Sequence, residues 1–513
     1  MAINDYGMEQ MPENIAFEMQ EDDTPQVSGA IQELLNSNNI AEDLTDKELD
    51  EIGSMVIQHF EIDYGSQAES MKLREDAIKL AKQTAEHKDF PFNNASNIKF
   101  PLLTKACLEF WSRAESQIVQ NGSVCRATKV GKDPSGEKYE KSLRYSDFQN
   151  YQLSVKMREW ETDTRRLLFA LPLCCDMYRK ITWESLRMTP KSTVIYPDKL
   201  IVNAAYTNLE EAPRYTEVQD FYKNELISKM RTGYYVDFDY TPYGESEDGD
   251  TECVHEVLEH YCWLDLDEDD YAEPYTVCVH KESGKVLRIA PRYTEDDVMM
   301  NEKGEVAEIN AEIAHVHYQF MPSQDGSFQG TGFGTYLPHL NEAINATINQ
   351  MIDAGTLQNT GGGFVSRNIK TRQRNLKFAM GEFKPVDSVS GSLRDNIYEF
   401  QHNGPSPVLF QLLGYLVDAA ESIAGLNDIV DGSAPANQAA FTTAAMVEEG
   451  VKLYRAIFKG VWRGLTEELR RLALLNNKYL PREDYSEVLD VDLVLAENDL
   501  NIDGDDIRPM AGP

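Results

Sequence analysis

The sequence predicts an α+β protein that is mainly helical, and three observations carry the prediction. Residues 330–365 hold one amphipathic helix, entered through the glycine-spaced GTGFG and closed by a triple glycine. In it Leu337, Leu340, Ile344, Ile348, Met351 and Ile352 recur at helical spacing, with Glu342, Asn345, Asn349 and Asp353 opposite. Residues 234–320 change to alternating apolar and polar positions broken by turn clusters, the pattern of a β-rich subdomain set between two helices. A long amphipathic helix then runs from about Gln438 to Leu475, with Tyr454, Phe458, Val461, Leu465, Leu469 and Leu472 as its apolar stripe.

The other elements follow in chain order. Residues 1–28 are acidic and weakly patterned, which predicts a flexible arm. Residues 28–120 are helical in pattern. Thr45 and Glu48 have capping-box spacing, and 71–85 alternates acids and bases as a solvent-facing helix does. FPFNNASNIKFP (90–101) interrupts the helices, because two prolines and an Asn/Ser cluster cannot continue one. A helix with Phe110 and Trp111 follows at 102–119. A short strand and turn are expected in 122–135, one long helix over 142–171, a strand over 193–202 and a helix over 215–231 ended by Gly233. Short strands are expected over 361–400. Ser406 at an N-cap, Pro407 at N1 and Gly425 past the end bound a helix. Its stretch 408–417 is apolar on nearly all sides and is expected to be deeply buried. The linker 427–437 is rich in Asp, Gly, Ser and Pro. The chain shows no internal repeat.

The charge is the outlier of the composition. The 513 residues are 42% hydrophobic and 26% charged, enough for a large core, but 49 basic residues face 86 acidic ones, a net −37. Such a body repels nucleic acid at long range, which disfavours conventional DNA or RNA binding. A surface that nucleic acid slides past remains compatible with it. No run of about 18 apolar residues is evident, so no membrane helix is expected. The acidic N-terminus lacks the shape of a signal peptide. Seven cysteines, two of them adjacent at Cys174 and Cys175, point to reduced thiols in a cytosol-like compartment.

Site chemistry is sparse. Cys253, His255, His260 and Cys262 resemble zinc ligands, but on one strand the first two face away from the last two. HEVLEH (255–260) misses H-E-x-x-H by one residue. Asp499, Asn501, Asp503 and Gly504 begin like a calcium loop, yet its twelfth position is Met510, so a solvated acidic tail is the better reading. Asp265, Asp267, Asp269 and Asp270 read as a solvated edge or loop. GTGFG lacks G-x-G-x-x-G and any βαβ context, and the chain has no phosphate-cradling G-x-x-x-x-G-K-[ST]. His315 and His317 share a strand face and read as packing or surface residues. No cofactor and no catalytic residue are expected. Two basic features stand out: a cluster at Lys370, Arg372, Arg374 and Lys377, and a stripe of Lys452, Arg455, Lys459 and Arg463 opposite the apolar stripe of the last helix. The stripe reads as a solvated face, a contact with an acidic neighbouring subunit, or a contact with DNA phosphates.

Several blocks carry a family resemblance. FPFNNASNIKFPLLTKA (90–106), the GTGFG–helix–NTGGGFV block (330–365), LRDNIYEF through GPSPVLFQLLGYLVDAAESIAG (393–425) and TTAAMVEEG (442–450) resemble portal proteins of tailed bacteriophages, the head-to-tail connectors. The blocks span roughly 90–475, most of the chain, and their joint order is more specific than any one of them. The resemblance implies a portal-like fold and a dodecameric ring at one capsid vertex, forming a channel for DNA packaging and ejection. It implies a 1–28 arm, a wing over 29–208, a first stem helix over 209–233 and a β-rich clip over 234–320. A second stem helix would cover 321–357, and wing strands with a buried helix 358–425. A tunnel loop would occupy 426–441, and the long terminal helix 442–513, with a crown that is short if the chain ends at Pro513. The loop residues Asp428, Asp431, Ser433, Asn437 and Gln438 would line the tunnel.

The implied partners are further copies of the chain, double-stranded DNA passing without sequence specificity, the terminase large subunit, major capsid and scaffold proteins, and neck or adaptor tail proteins, with no membrane. The implied location is the virion, after assembly in the host bacterial cytoplasm. Two other readings compete: another virion component such as an adaptor or minor head protein, and a metal-dependent hydrolase on a helical body. No catalytic constellation supports the hydrolase.

Overall fold

A computed structural model describes most of residues 32–509. The longest internal stretches outside it are 239–253, 372–385, 389–396 and 425–439, and the side chains of 360–403 and 425–453 also lie outside. The chain is 53% helical and 19% strand, an α+β protein that is mainly helical, as its periodicities predict. It divides into two compact units, Met1–Val56 with Asp220–Glu312, and Ile57–Gln219 with Ile313–Pro513.

The first unit is built on an antiparallel meander of His255–Leu264, Glu273–His280 and Val286–Pro291. After its first strand Asp270 adopts φ +69°, and its N–H donates to Asp265 Oδ2 at 3.1 Å. Leu226, Tyr235, Val257, Cys278 and Leu287 form the core. Asn39 extends the edge strand with its side chain, donating to Leu287 O (3.2 Å) and accepting from Ile289 N (3.1 Å). The capping box forms as its spacing predicts. Thr45 N–H donates to Glu48 Oε2 at 2.9 Å, and a helix begins at Asp46. That helix passes so close to the 283–284 turn that a Cβ on Gly53 would lie 2.2 Å from Gly284 O.

The helix expected at 215–231 does not form as one piece. Tyr215–Phe221 is a strand, and only Lys223–Arg231 is helical. Tyr215, Thr216, Glu217 and Val218 are consecutive and all buried, which a strand covered on both faces allows and an amphipathic helix does not. The short helix starts where Tyr222 N–H finds Glu225 Oε2 (2.9 Å).

The second unit is organised around the long helix Ala440–Tyr479. Tyr454, Phe458, Val461, Leu465, Leu469 and Leu472 are buried, the stripe that the periodicity predicts. Packed in the same core is an antiparallel sheet of His315–Gln319, Asp176–Glu184 and Thr189–Ile195. The pattern assigned 315–319 to the β-rich insert, but its hydrogen-bond partner lies about 140 residues upstream, at a separation no local pattern encodes. The expected helix 142–171 is broken. Glu137–Tyr151 passes into a π-helical stretch, Gln152–Lys156, before Glu159–Cys174. At the break, buried Gln152 exchanges two hydrogen bonds with Asn476 of the long helix (2.8 and 2.9 Å). The expected strand 193–202 is split by the turn at Pro197 into Thr189–Ile195 and Leu200–Val202.

The GTGFG entry is a close-packing device. Gly330 N–H donates to Asp176, and Cβ atoms on Gly332 and Gly334 would lie 2.8 Å from Pro172 O and 1.9 Å from Leu173 O. The helix that follows, Pro338–Thr360, buries Ile344 and Met351 along its apolar side just behind buried Leu337, but Ile352, expected in the same stripe, is 39% exposed. Its polar side is buried as well. Ser96 N–H donates to Asp353 Oδ1, Ser96 Oγ and Ile98 N–H to Asn349 Oδ1, and Phe100 N–H to Asn345 Oδ1, each at 2.7 Å. Asn349 Nδ2 returns a bond to Ile98 O at 3.0 Å. The Asn and Asp row therefore satisfies the backbone of an extended segment that has no strand partner there, as buried amides require.

The helix Pro407–Ala424 overturns an expectation. Its cap forms, with Val408 N–H donating to Ser406 Oγ at 3.3 Å, but it is not deeply buried. One side meets the core through Leu413, Leu416, Val417, Ala420 and Ala424. The other leaves Val408 67%, Phe410 58% and Tyr415 78% exposed. By length and composition it is also the one helix among the described residues apolar enough to cross a membrane, because Asp418 and Glu421 are its only charges.

Asn349→Ala removes three hydrogen bonds of the ladder. It is expected to lower the unfolding free energy by about 2–3 kcal/mol, whereas exposed Glu342→Ala should change it by under about 0.5. Denaturant titration of both variants checks the difference.

Candidate functional site

The long helix sets the geometry of the second unit's polar sites. On its outer face Arg455, Lys459 and Arg463 are exposed one turn apart, as the predicted stripe requires. Lys452 lies on the same helix, with its side chain outside the described set. The Lys370–Lys377 cluster, the arm 1–28 and the loop residues Asp428, Asp431, Ser433, Asn437 and Gln438 are also outside it.

On the inner face, Glu468 is the acceptor for four donors from four other elements. Arg179 Nη1 (2.6 Å), Trp160 Nε1 (2.7 Å) and Ser192 Oγ (2.8 Å) reach Oε1, and Tyr318 OH reaches Oε2. Arg179 Nη2 donates on to Thr164 Oγ1 at 2.6 Å. Arg179 and Glu468 are 1% and 0% exposed. Burial and the adjacent carboxylate push the Tyr318 phenol well above its ordinary value, so it remains a donor. The cluster is closed to substrate, and its chemistry is that of a buried brace.

A groove of about 1000 Å³ opens beside the strand His315–Gln319 and the long helix, lined in part by His315, His317, Arg463, Glu467 and Arg470. Both histidines are paired with carboxylates. His317 Nε2 lies 2.9 Å from Asp176, and its ring stacks against both Tyr178 and Phe328. His315 Nε2 lies 2.9 Å from Glu217, which Lys180 also reaches at 2.8 Å. Burial works to raise the Glu217 carboxyl, but Lys180 and His315 outweigh it and hold it at about 2. The sequence placed the two histidines on one face. It did not disclose Asp176 or Glu217 as partners, since both come from distant strands. Gly460 and Gly464 bring the helix close to the strand: a Cβ on Gly464 would lie 2.8 Å from the Tyr318 ring.

The other candidate ligands are dispersed. His255 faces His280, with Nδ1 and Nε2 3.4 Å apart, and burial followed by His255 lowers the His280 pKa. His260 and Cys262 sit further along the same strand, and Cys253 is outside the described residues. Among the described residues no group of three or more His, Cys, Asp or Glu could hold a metal. Asp499 is not part of a solvated tail, as its surroundings in the sequence suggested. It is 1% exposed and takes a bidentate pair from Arg144 (2.6 and 2.8 Å) plus the Tyr485 hydroxyl (3.3 Å). That pairing occupies both of its oxygens.

The chain matches no protein-family model and no curated protein.

Glu468→Gln strands the Arg179 guanidinium and is expected to cost about 3–5 kcal/mol, with much of it recovered in Arg179→Met/Glu468→Leu. A denaturant-based double-mutant cycle reads this out. Glu217 has a depressed folded-state pKa, so its contribution is complete above its ordinary 4.5 and is lost as pH falls toward 2. Glu217→Gln should therefore flatten the fall in melting temperature across that window, measured by calorimetry in a pH series.

Proposed function

We propose that this chain is a portal protein of a tailed bacteriophage. It forms a ring-shaped, dodecameric channel at one capsid vertex, through which a separate terminase drives double-stranded DNA inward and from which DNA later leaves. It acts as a platform rather than an enzyme. Its partners are its own copies, the terminase large subunit, major capsid and scaffold proteins, and neck or adaptor proteins of the tail. It assembles in the host bacterial cytoplasm and resides in the virion.

The joint order of the four sequence blocks carries this reading. It gains support from the pairing of two of them: Ser96, Ile98 and Phe100 of the first block bond to Asp353, Asn349 and Asn345 of the helix behind GTGFG. Blocks so far apart in sequence share one structural task. The charge is in accord, because a wall with net −37 per copy lets phosphates slide rather than stick. In this reading the Asp428–Gln438 loop faces the DNA, having no basic side chain with which to hold it.

Purified full-length protein is expected to form closed rings with a central hole by negative stain, and to hydrolyse no ATP without terminase. A protein that stays monomeric at tens of micromolar, or that turns over ATP alone, would contradict the proposal.

A further inference from the structure

The helix Pro407–Ala424 has two apolar faces and uses one. Leu413, Leu416, Val417, Ala420 and Ala424 pack inward. Val408, Leu412, Tyr415, Ala419 and Ile423 recur at i, i+4, i+7, i+11 and i+15, a second stripe on the opposite side. Four of the five are exposed, with Tyr415 the most open at 78%. A helix that is apolar all round is normally covered all round. We infer that the outer stripe is the surface through which one copy of this chain binds the next.

Two observations select a second copy over a lipid surface. Asp418 and Glu421 lie in the helix, Glu421 tied to Lys105 at 3.1 Å, and no Lys or Arg lies between Phe400 and Val451. A helix lying on an anionic membrane carries Lys and Arg along its own polar face, and this helix carries only acidic charges there. The stripe also runs toward the chain's exposed basic row. Tyr454 OH donates to Ala424 O at 3.1 Å, which places the end of the apolar helix one residue from Arg455, with Lys459 and Arg463 beyond. On a chain of net −37 the complement of a basic row is the chain's own acidic surface. A standard interface takes about 800 Å² per partner, more than one helix stripe offers, and the basic row extends the stripe. A contact in which this patch meets a different surface of the neighbour is heterologous, the kind that makes a ring when the rotation between copies closes. The inference rests on the ring-forming reading above and assigns it to one surface.

The test uses the full chain, with Leu412→Glu/Tyr415→Glu, Arg455→Glu/Lys459→Glu and a photoreactive benzophenone amino acid at position 415. Mass photometry of the wild type is expected to show rings. The apolar double variant should raise the concentration for half assembly at least tenfold with an unchanged circular dichroism spectrum. The charge-reversal variant should do so several-fold, with an effect that shrinks in high salt. Irradiation should yield products of twice the chain mass. Wild-type rings that persist unaltered in the apolar variant overturn this assignment and leave the ring reading intact. A wild type without rings overturns both. Cross-links confined to one chain assign the stripe to the protein's own segments and overturn the inference. So does co-sedimentation with phosphatidylglycerol vesicles that Leu412→Glu/Tyr415→Glu abolishes.

Discussion

The buried pair of Arg179 and Glu468 is the constraint around which the second unit is arranged. A guanidinium and a carboxylate removed from water are costly unless their polar atoms find partners, and of this pair's atoms only Arg179 Nε lacks one among the described residues. Here the carboxylate takes Arg179, Trp160, Ser192 and Tyr318, so two helices and three strands must converge on one point. The apolar stripe of the long helix could pack against a sheet in several rotations or shifts. The charged pair admits one, because a slip of one residue would leave Glu468 buried and alone. Packing supplies the area, and the pair selects the register.

The same logic explains the glycines. Gly464 lies one turn before Glu468, where Tyr318 must approach to donate its hydroxyl. Gly332 and Gly334 let the segment before Pro338 run against the carbonyls of Pro172 and Leu173. That fixes the strand after Cys175 relative to the helix that carries Asn345 and Asn349. Their role is proximity of backbones, which a phosphate-binding reading of GTGFG would have missed.

What was legible in the sequence was whatever has a local period. The long helix, its stripe, the meander strands, the Thr45 capping box and the Ser406 cap all follow from spacing within a few residues. The misses share one cause. Tyr215–Phe221 was assigned to a helix because burial on both sides hides alternation, and 315–319 was given the wrong sheet because pairing is a long-range property. Asp499 looked solvated because its partner, Arg144, lies 355 residues away. The apolar helix failed in the opposite way: composition measured how much surface must be covered, and carried no information on what covers it. The same holds at the groove, where the histidines were visible and their carboxylates were not.

The ladder on helix Pro338–Thr360 also carries a limit within it. Four helical residues advance about 6.0 Å, while two extended residues advance about 6.6 Å. The two chains act as the scales of a vernier, nearly commensurate and drifting by about half an ångström per rung. Asn345, Asn349 and Asp353 use the coincidence. Asn341, one turn further, is buried with neither amide atom bonded among the described residues, and opposite it the extended chain has already coiled into the helix that starts at Leu102. The start of the helix at Leu102, rather than a change of residue type on the facing helix, sets where this seam between helix and extended chain ends.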